Sequence, residues 1–258
     1  MSATIPQVFR DTGLYPRRVD RTPLKQFQVL GERACATNLV RKVIDKNAQI
    51  MRTEALGWKH ATPHMVAIPR DFLIVCVVRN AENWALSMHK RPWHADPALQ
   101  RLTFSEFLRA PWRGIVDRPA DFEEIHPEIA GRVEGLEMEF DRHPITGRAF
   151  QNLFELRRVK QAALVGMLNR DCNMLLVQAE RVQADPEGFS AWFNDTFDLK
   201  LQGERIKGVK RRLGNRFNLS VDERGETPER LNNDDRAFML SQLDLDLESA
   251  LGYDYSPG

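Results

Sequence analysis

Apolar residues fall along this chain in two rhythms. Phe27-Gln28-Val29-Leu30 is a short, mostly apolar run closed by Gly31, which predicts a buried strand. Beyond the loop Glu32-Arg33-Ala34-Cys35-Ala36, apolar positions return at Leu39, Val40, Val43 and Ile44. That is helical spacing, with Thr37 expected as the cap. A second strand is expected near Gln49 to Arg52. Phe72 to Val78 is an unbroken apolar run rich in β-branched residues, the pattern of a central parallel strand covered on both faces. It stops at Arg79-Asn80, and a helix resumes through Trp84, Leu86 and Met88. Strand, turn, helix, repeated, predicts an α/β fold: an open parallel sheet flanked by helices, with helical and loop insertions.

The later chain fits the same scheme. Ala95 to Arg148 is irregular and rich in Pro, Gly, aromatic and charged residues, and is expected to form insertions between core elements. A helix is predicted over Asn152 to Asn169, with Leu153, Leu156, Val159, Ala163 and Leu164 on one side. Met174 to Val177 predicts another buried strand. Asp185-Pro186-Glu187 predicts a helix start, with Pro near the first position and acidic residues in the first turn. Glu204 to Arg216 is basic. A last helix is expected from Asp234 to Leu251, ended by Gly252. Residues 1–24 read as an N-terminal extension to a single domain over 25–258.

Composition narrows the class. With 258 residues, 42% hydrophobic, the chain can bury a sizeable core, and its 28% charged residues lack the imbalance of a disordered chain. No apolar run approaches the ~20 residues of a spanning helix, and Met1 to Pro23 has no apolar core of signal-peptide type. A formal net charge of +1 gives no global pull toward nucleic acid, so an anion site must be a local concentration of charge. Three scattered cysteines, Cys35, Cys76 and Cys172, suit neither a disulfide framework nor a zinc site. These features together point to a cytoplasmic location; they leave oligomeric state open.

In an open α/β sheet, ligands bind beyond the carboxyl ends of the strands. Two loops hold that position. In Gly31 to Asn38, small side chains at 34–36 let backbone N–H groups face an anion at a helix N-terminus, and Arg33 and Thr37 add a cation and a hydroxyl. An ordinary tight connection with a solvated Arg33 is an equal reading of that spacing. The Walker A pattern is absent. In the second loop, Arg79 at a strand end and Ser87 on the following helix could clamp another phosphate; taken alone, an Arg capping nearby carbonyls is the plainer reading.

The residues then carry a family resemblance. Leu30-Gly31-Glu32-Arg33-Ala34-Cys35-Ala36-Thr37-Asn38-Leu39 resembles the 5′-phosphosulfate loop of sulfotransferases that use 3′-phosphoadenosine 5′-phosphosulfate (PAPS). Val78-Arg79-Asn80 through Ser87-Met88 resembles their 3′-phosphate motif. Glu180 with Ala184-Asp185-Pro186, and the ending Glu248 to Tyr253, are similar to further family segments. The resemblance implies the P-loop-like sulfotransferase fold, with PAPS as sulfuryl donor, adenosine 3′,5′-bisphosphate as product, and no metal. It implies that Arg33, the N–H groups of Ala34, Cys35 and Ala36, and Thr37 and Asn38 surround the 5′-phosphate, while Arg79 and Ser87 hold the 3′-phosphate. Lys207-Gly208 with Asn215-Arg216-Phe217 resembles a segment that closes over the 3′-phosphate, making Lys207, Gly208, Arg211 and Arg212 candidate contacts. Cys35 stands where the family has Gly, and Ala81 where it has Pro.

Sulfuryl transfer to a hydroxyl needs a base with a pKa near neutrality, which favours His. Among six histidines, His60 in Gly57-Trp58-Lys59-His60 follows the second strand region, and a Lys-His pair there resembles bacterial members of the family. Lys59 is expected to neutralise charge on the transferring group. His64 is the second choice, then His89 and His94; His126 and His143 read as structural. The expected acceptor is a small molecule or carbohydrate hydroxyl. A kinase-like phosphotransferase and a non-catalytic nucleotide-binding module are the alternatives.

Overall fold

A computed structural model describes residues 4–118, 135–209 and 220–256. Five strands form one sheet in the order β1-β5-β4-β2-β3: β1 (Leu14–Arg17), β2 (Gln26–Leu30), β3 (Met51–Arg52), β4 (Phe72–Val78) and β5 (Asn173–Gln178). β2, β3, β4 and β5 pair in parallel, whereas β1 runs antiparallel along β5. The fold is therefore α/β with a mostly parallel sheet flanked by helices. Among the described residues, no helix is long and apolar enough to cross a membrane.

β4 is covered on both faces. All seven of its residues are buried, which is why its apolar run is continuous rather than alternating. Helix α2 (Thr37–Asn47) buries Val40, Val43, Ile44 and Asn47, one stripe of a 3.6-residue period. Helix α3 (Ala81–Lys90) follows β4 and buries Trp84, Ala85 and Met88. Its N-cap, Asn80, accepts from the N–H groups of Glu82 and Asn83.

The N-terminal stretch is built into the domain rather than trailing from it. Helix α1 (Gln7–Thr12) buries Phe9 completely, and β1 adds an edge to the sheet. Arg17 donates to the carbonyls of Leu168, Arg170 and Cys172, tying the chain start to the turn before β5.

Among its described residues, the region 95–148 holds short helices, α4 (Pro97–Gln100) and α5 (Phe104–Arg109), and a 3₁₀ turn at Glu139–Asp141. Helix α6 (Leu153–Val165) then packs on the sheet, continuing as a 3₁₀ turn to Asn169. Its inner face differs from the sequence expectation: Val159 and Ala163 are only half-buried, while Arg157, Lys160 and Gln161 are buried. After β5 come α7 (Ala179–Ala184) and α8 (Pro186–Thr196); the latter starts where expected, with Pro186 at its first position, and Asp185 caps it by accepting from the Gly188 N–H.

The expected single last helix is two, α9 (Asn233–Gln242) and α10 (Leu245–Ala250). The break falls at Asp244, whose carboxylate accepts from the N–H of Leu247 and so starts a new helix. Gly252, at φ +82°, follows as expected.

Candidate functional site

The chain leaves β2 for β3 on one side, then crosses over to β4 and β5 on the other. The strand order therefore reverses between β2 and β4, the kind of switch point beyond whose carboxyl ends open α/β sheets bind ligands. Both candidate loops leave the sheet there.

The loop after β2 is shaped by backbone conformations that side chains rarely adopt. Gly31 lies at φ +156°, where an added Cβ would sit 2.6 Å from the Val77 carbonyl. Ala34 and Ala36 both have left-handed φ, 61° and 59°. Ala36 is the N-cap of α2 and Thr37 its first residue, so the cap expected of the Thr37 side chain is not made. Trp84 Nε1 donates to the Arg33 carbonyl at 2.8 Å, and Arg79 Nη1 to the Ala34 carbonyl at 2.6 Å. With these carbonyls engaged, the N–H groups of Ala34, Ala36, Thr37 and Asn38 have no partner among the described residues. Converging unpaired N–H groups at a helix N-terminus (a nest) are the chemistry that suits an anion. The Cys35 N–H, expected in the same set, instead donates to the Glu32 carbonyl.

Arg33 has partners other than those expected of it. Its side chain is buried and forms a bidentate pair with Asp141, Nη1 to Oδ2 at 2.7 Å and Nη2 to Oδ1 at 2.9 Å. Its Nε donates to Glu32 Oε1 at 2.8 Å, and the guanidinium lies between the rings of Trp58 and Trp112. Burial opposes its charge, but the two carboxylates outweigh that and hold it more firmly protonated than a free arginine. The fixed cation expected at the loop is thus already neutralised.

Lys59 is the cation that reaches the nest. Its Nζ donates to Asn38 Oδ1 at 2.9 Å, in the first turn of α2. The following residue, His60, is buried, and its Nδ1 lies 2.5 Å from the Gly31 carbonyl. A carbonyl only accepts, so Nδ1 carries the proton and Nε2 is the basic nitrogen. Burial, then the nearby Lys59 charge, push the pKa of His60 well below the usual value, which keeps the ring neutral at pH 7.

The second loop pairs its two expected residues. Arg79 Nη1 donates to Ser87 Oγ at 2.9 Å, while Arg79 Nε is buried without a partner among the described residues. The loop backbone is fixed from behind. Glu180 Oε1 accepts from the Asn80 N–H, Tyr255 Oη from the Ala81 N–H, and Arg157 Nη2 donates to the Arg79 carbonyl. Arg157 is itself locked to Glu248 at 2.8 Å, with both side chains buried.

The other candidates lie elsewhere. Lys207 and Gly208 sit at the C-terminal end of α2, where the Lys207 N–H donates to Asn47 Oδ1 and Lys46 Nζ donates to the Gly208 carbonyl. An 11-residue helix separates that end from the nest by about 16 Å. Arg211, Arg212 and the Asn215-Arg216-Phe217 segment lie outside the described residues, as does His126. His89 is committed at both ring nitrogens, to Thr227 and Leu102, and burial pushes its pKa down to about 4. His94 faces Asp117 at 2.7 Å, while His64 is exposed and stacks on Phe140. His143 accepts from the N–H groups of Ile145 and Thr146. A groove of about 320 Å³ lined by Asp45, Ile50, Met51, Arg52 and Gln202 includes none of the predicted residues.

Sequence reasoning missed Asp141, Lys160 and Arg157. One signal was available: Lys160 stands four residues after Leu156 and four before Leu164, on the stripe expected to be apolar. Asp141 gave none, since it sits in an irregular segment and meets Arg33 across 108 positions.

Comparison of the chain with family models, with curated proteins and with solved structures returns no significant match.

Proposed function

We propose that this protein is a sulfotransferase, with the P-loop-like sulfotransferase fold, that moves a sulfuryl group from PAPS to an acceptor hydroxyl of a small molecule or carbohydrate. The observation that carries the reading is the position of Arg79. One guanidinium nitrogen bonds both Ser87, the residue expected to share a phosphate with it, and the Ala34 carbonyl of the other loop, so the two candidate loops are brought together. The unpartnered N–H groups of Ala34, Ala36, Thr37 and Asn38 and the orphaned Arg79 Nε suit a ligand with phosphates at two ends.

PAPS, when bound, supplies the activated sulfuryl group. The nest and the Lys59 ammonium hold its 5′ end, and Arg79 with Ser87 holds the 3′-phosphate. Backbone N–H groups fixed in advance suit the place where negative charge grows, because they need no reorganisation during transfer. His60 Nε2 takes the proton of the acceptor hydroxyl; burial keeps the ring neutral and able to accept it, while the same lowering makes it a weaker base than a free histidine, short of the near-neutral pKa the role favours. Arg33 keeps its carboxylate partners and supports the loop from within.

Calorimetry with adenosine 3′,5′-bisphosphate and with AMP tests the nucleotide assignment; the bisphosphate is expected to bind much more tightly, and equal affinities overturn it. A screen of hydroxyl acceptors with labelled sulfuryl donor tests transfer, which His60→Ala should abolish while nucleotide affinity is kept. The neutralised state of Arg33 favours a second reading, a nucleotide-binding module without transfer; binding selectivity without turnover on any acceptor is its signature.

A further inference from the structure

The segment carrying His60 is strapped to the tip of β2. Buried Gln28 donates through Nε2 to the Gly57 carbonyl and accepts the Leu56 N–H at Oε1. The Gly31 N–H donates to the Lys59 carbonyl, and His60 Nδ1 donates back to the Gly31 carbonyl. A further strap comes from a different layer of the molecule. Lys160, 4% exposed on α6, donates through Nζ to the His60 carbonyl at 2.9 Å.

Lys160 is held in turn by two carboxylates, Asp141 Oδ1 at 2.5 Å and Glu32 Oε2 at 3.1 Å. Asp141 also takes both ends of Arg33 and the Trp112 indole N–H, and Gly114 leaves the room it needs: a Cβ there would lie 2.3 Å from Asp141 Oδ2. Two cations and two carboxylates thus form a balanced buried set. A lysine that donates to two acceptors, with the Glu32 carboxylate 3.1 Å from the same nitrogen, has little rotational freedom, so its hold on the His60 backbone is rigid.

We infer that Lys160 is a positioning residue for His60: by tying the His60 carbonyl to Asp141 of the 95–148 insertion, it fixes the imidazole as the Nδ1–H form bonded to Gly31, with Nε2 left basic. The insertion is then part of the apparatus that sets the base, not only a wall near it. The inference takes His60 as the base from the proposed function, but the ring's state is measurable without any turnover.

The test uses Glu32→Gln with Lys160→Met in the full chain. This removes one charge of each sign and leaves the Arg33–Asp141 pair whole. Ring ¹⁵N NMR of the unaltered protein should show His60 as the Nδ1–H form; a predominant Nε2–H form overturns the inference, whether or not the variant folds. In the double variant the ring should shift to a mixture of forms. Turnover should drop at least ~10-fold at saturating nucleotide, with affinity for adenosine 3′,5′-bisphosphate within about threefold. An unchanged ring, or nucleotide affinity and turnover falling in parallel, reduces Lys160 to a structural role and overturns the inference. Absence of transfer by the unaltered protein, with the ring behaving as stated, removes the proposed activity and leaves the positioning intact.

Discussion

Arg79 donates to the carbonyl of Ala34 at 2.6 Å, so the loop that ends β4 is bonded to the loop that ends β2. The same nitrogen reaches Ser87 one and a half helical turns into α3. A single side chain therefore links the two strand-end loops.

Arg79→Ala removes that bond and the cation together. Binding of adenosine 3′,5′-bisphosphate is expected to weaken about 10- to 100-fold, as for loss of hydrogen bonds to a charged group worth ~1.5–3 kcal/mol. AMP, which lacks the 3′-phosphate, should lose much less. Calorimetry with both nucleotides reads the difference, and a uniform loss would assign Arg79 to loop structure alone.

The Arg157–Glu248 pair is buried on both sides and carries the Arg79 carbonyl on one end and Tyr255 on the other. Glu248→Gln leaves the guanidinium without its counter-charge, which should lower stability by about 3–5 kcal/mol. Chemical denaturation measures this; a loss below ~1 kcal/mol would mean that water or another carboxylate replaces Glu248.

Acid should destabilise the protein well before its carboxylates titrate. Burial, followed by Lys59, lowers the pKa of His60 far below 6.5, and burial brings His89 to about 4. Between about pH 6.5 and 4 the unfolded chain therefore holds protons that the folded one does not. Stability is full above about pH 6.5 and declines as pH falls through that window. Denaturant midpoints at pH 7.5, 6 and 5 should decrease in order, and His89→Gln should flatten the trend. A midpoint that holds steady or rises toward pH 5 contradicts the assignment of neutral rings.

Cys35 stands at a helix N-terminus, where a thiol is ordinarily activated. Here burial dominates and pushes its pKa up to about 12. Alkylation of Cys35 in the native protein, followed by peptide mass spectrometry, should be at least ~100-fold slower than in the unfolded chain. Modification of native Cys35 at the unfolded rate would require an open loop.

Local pattern made most of the sheet legible. The β4 run and the α2 stripe were readable because a strand buried on both faces, or a helix buried on one, must repeat its apolar residues at a fixed period. That Arg79 and Ser87 lie near each other was legible for the same reason, since both lie on one short stretch, though their direct bond was not. The edge strand Leu14–Arg17 was not: an antiparallel partner about 160 positions away leaves no trace in a four-residue segment that holds Pro16 beside Tyr15 and Arg17. The break at Asp244 was hidden because one carboxylate capping Leu247 interrupts an otherwise helical composition.

The sequence by itself determined the α/β architecture and the two strand-end loops, because each depends on neighbours within one or two turns of chain. Only the tertiary structure decided which groups the cations meet. It folded Arg33 inward onto Asp141, left Lys59 beside Asn38, and set Lys160 against the His60 carbonyl. The reason is electrostatic: a buried charge takes the nearest opposite charge it can reach, and which one is nearest depends on how distant segments pack.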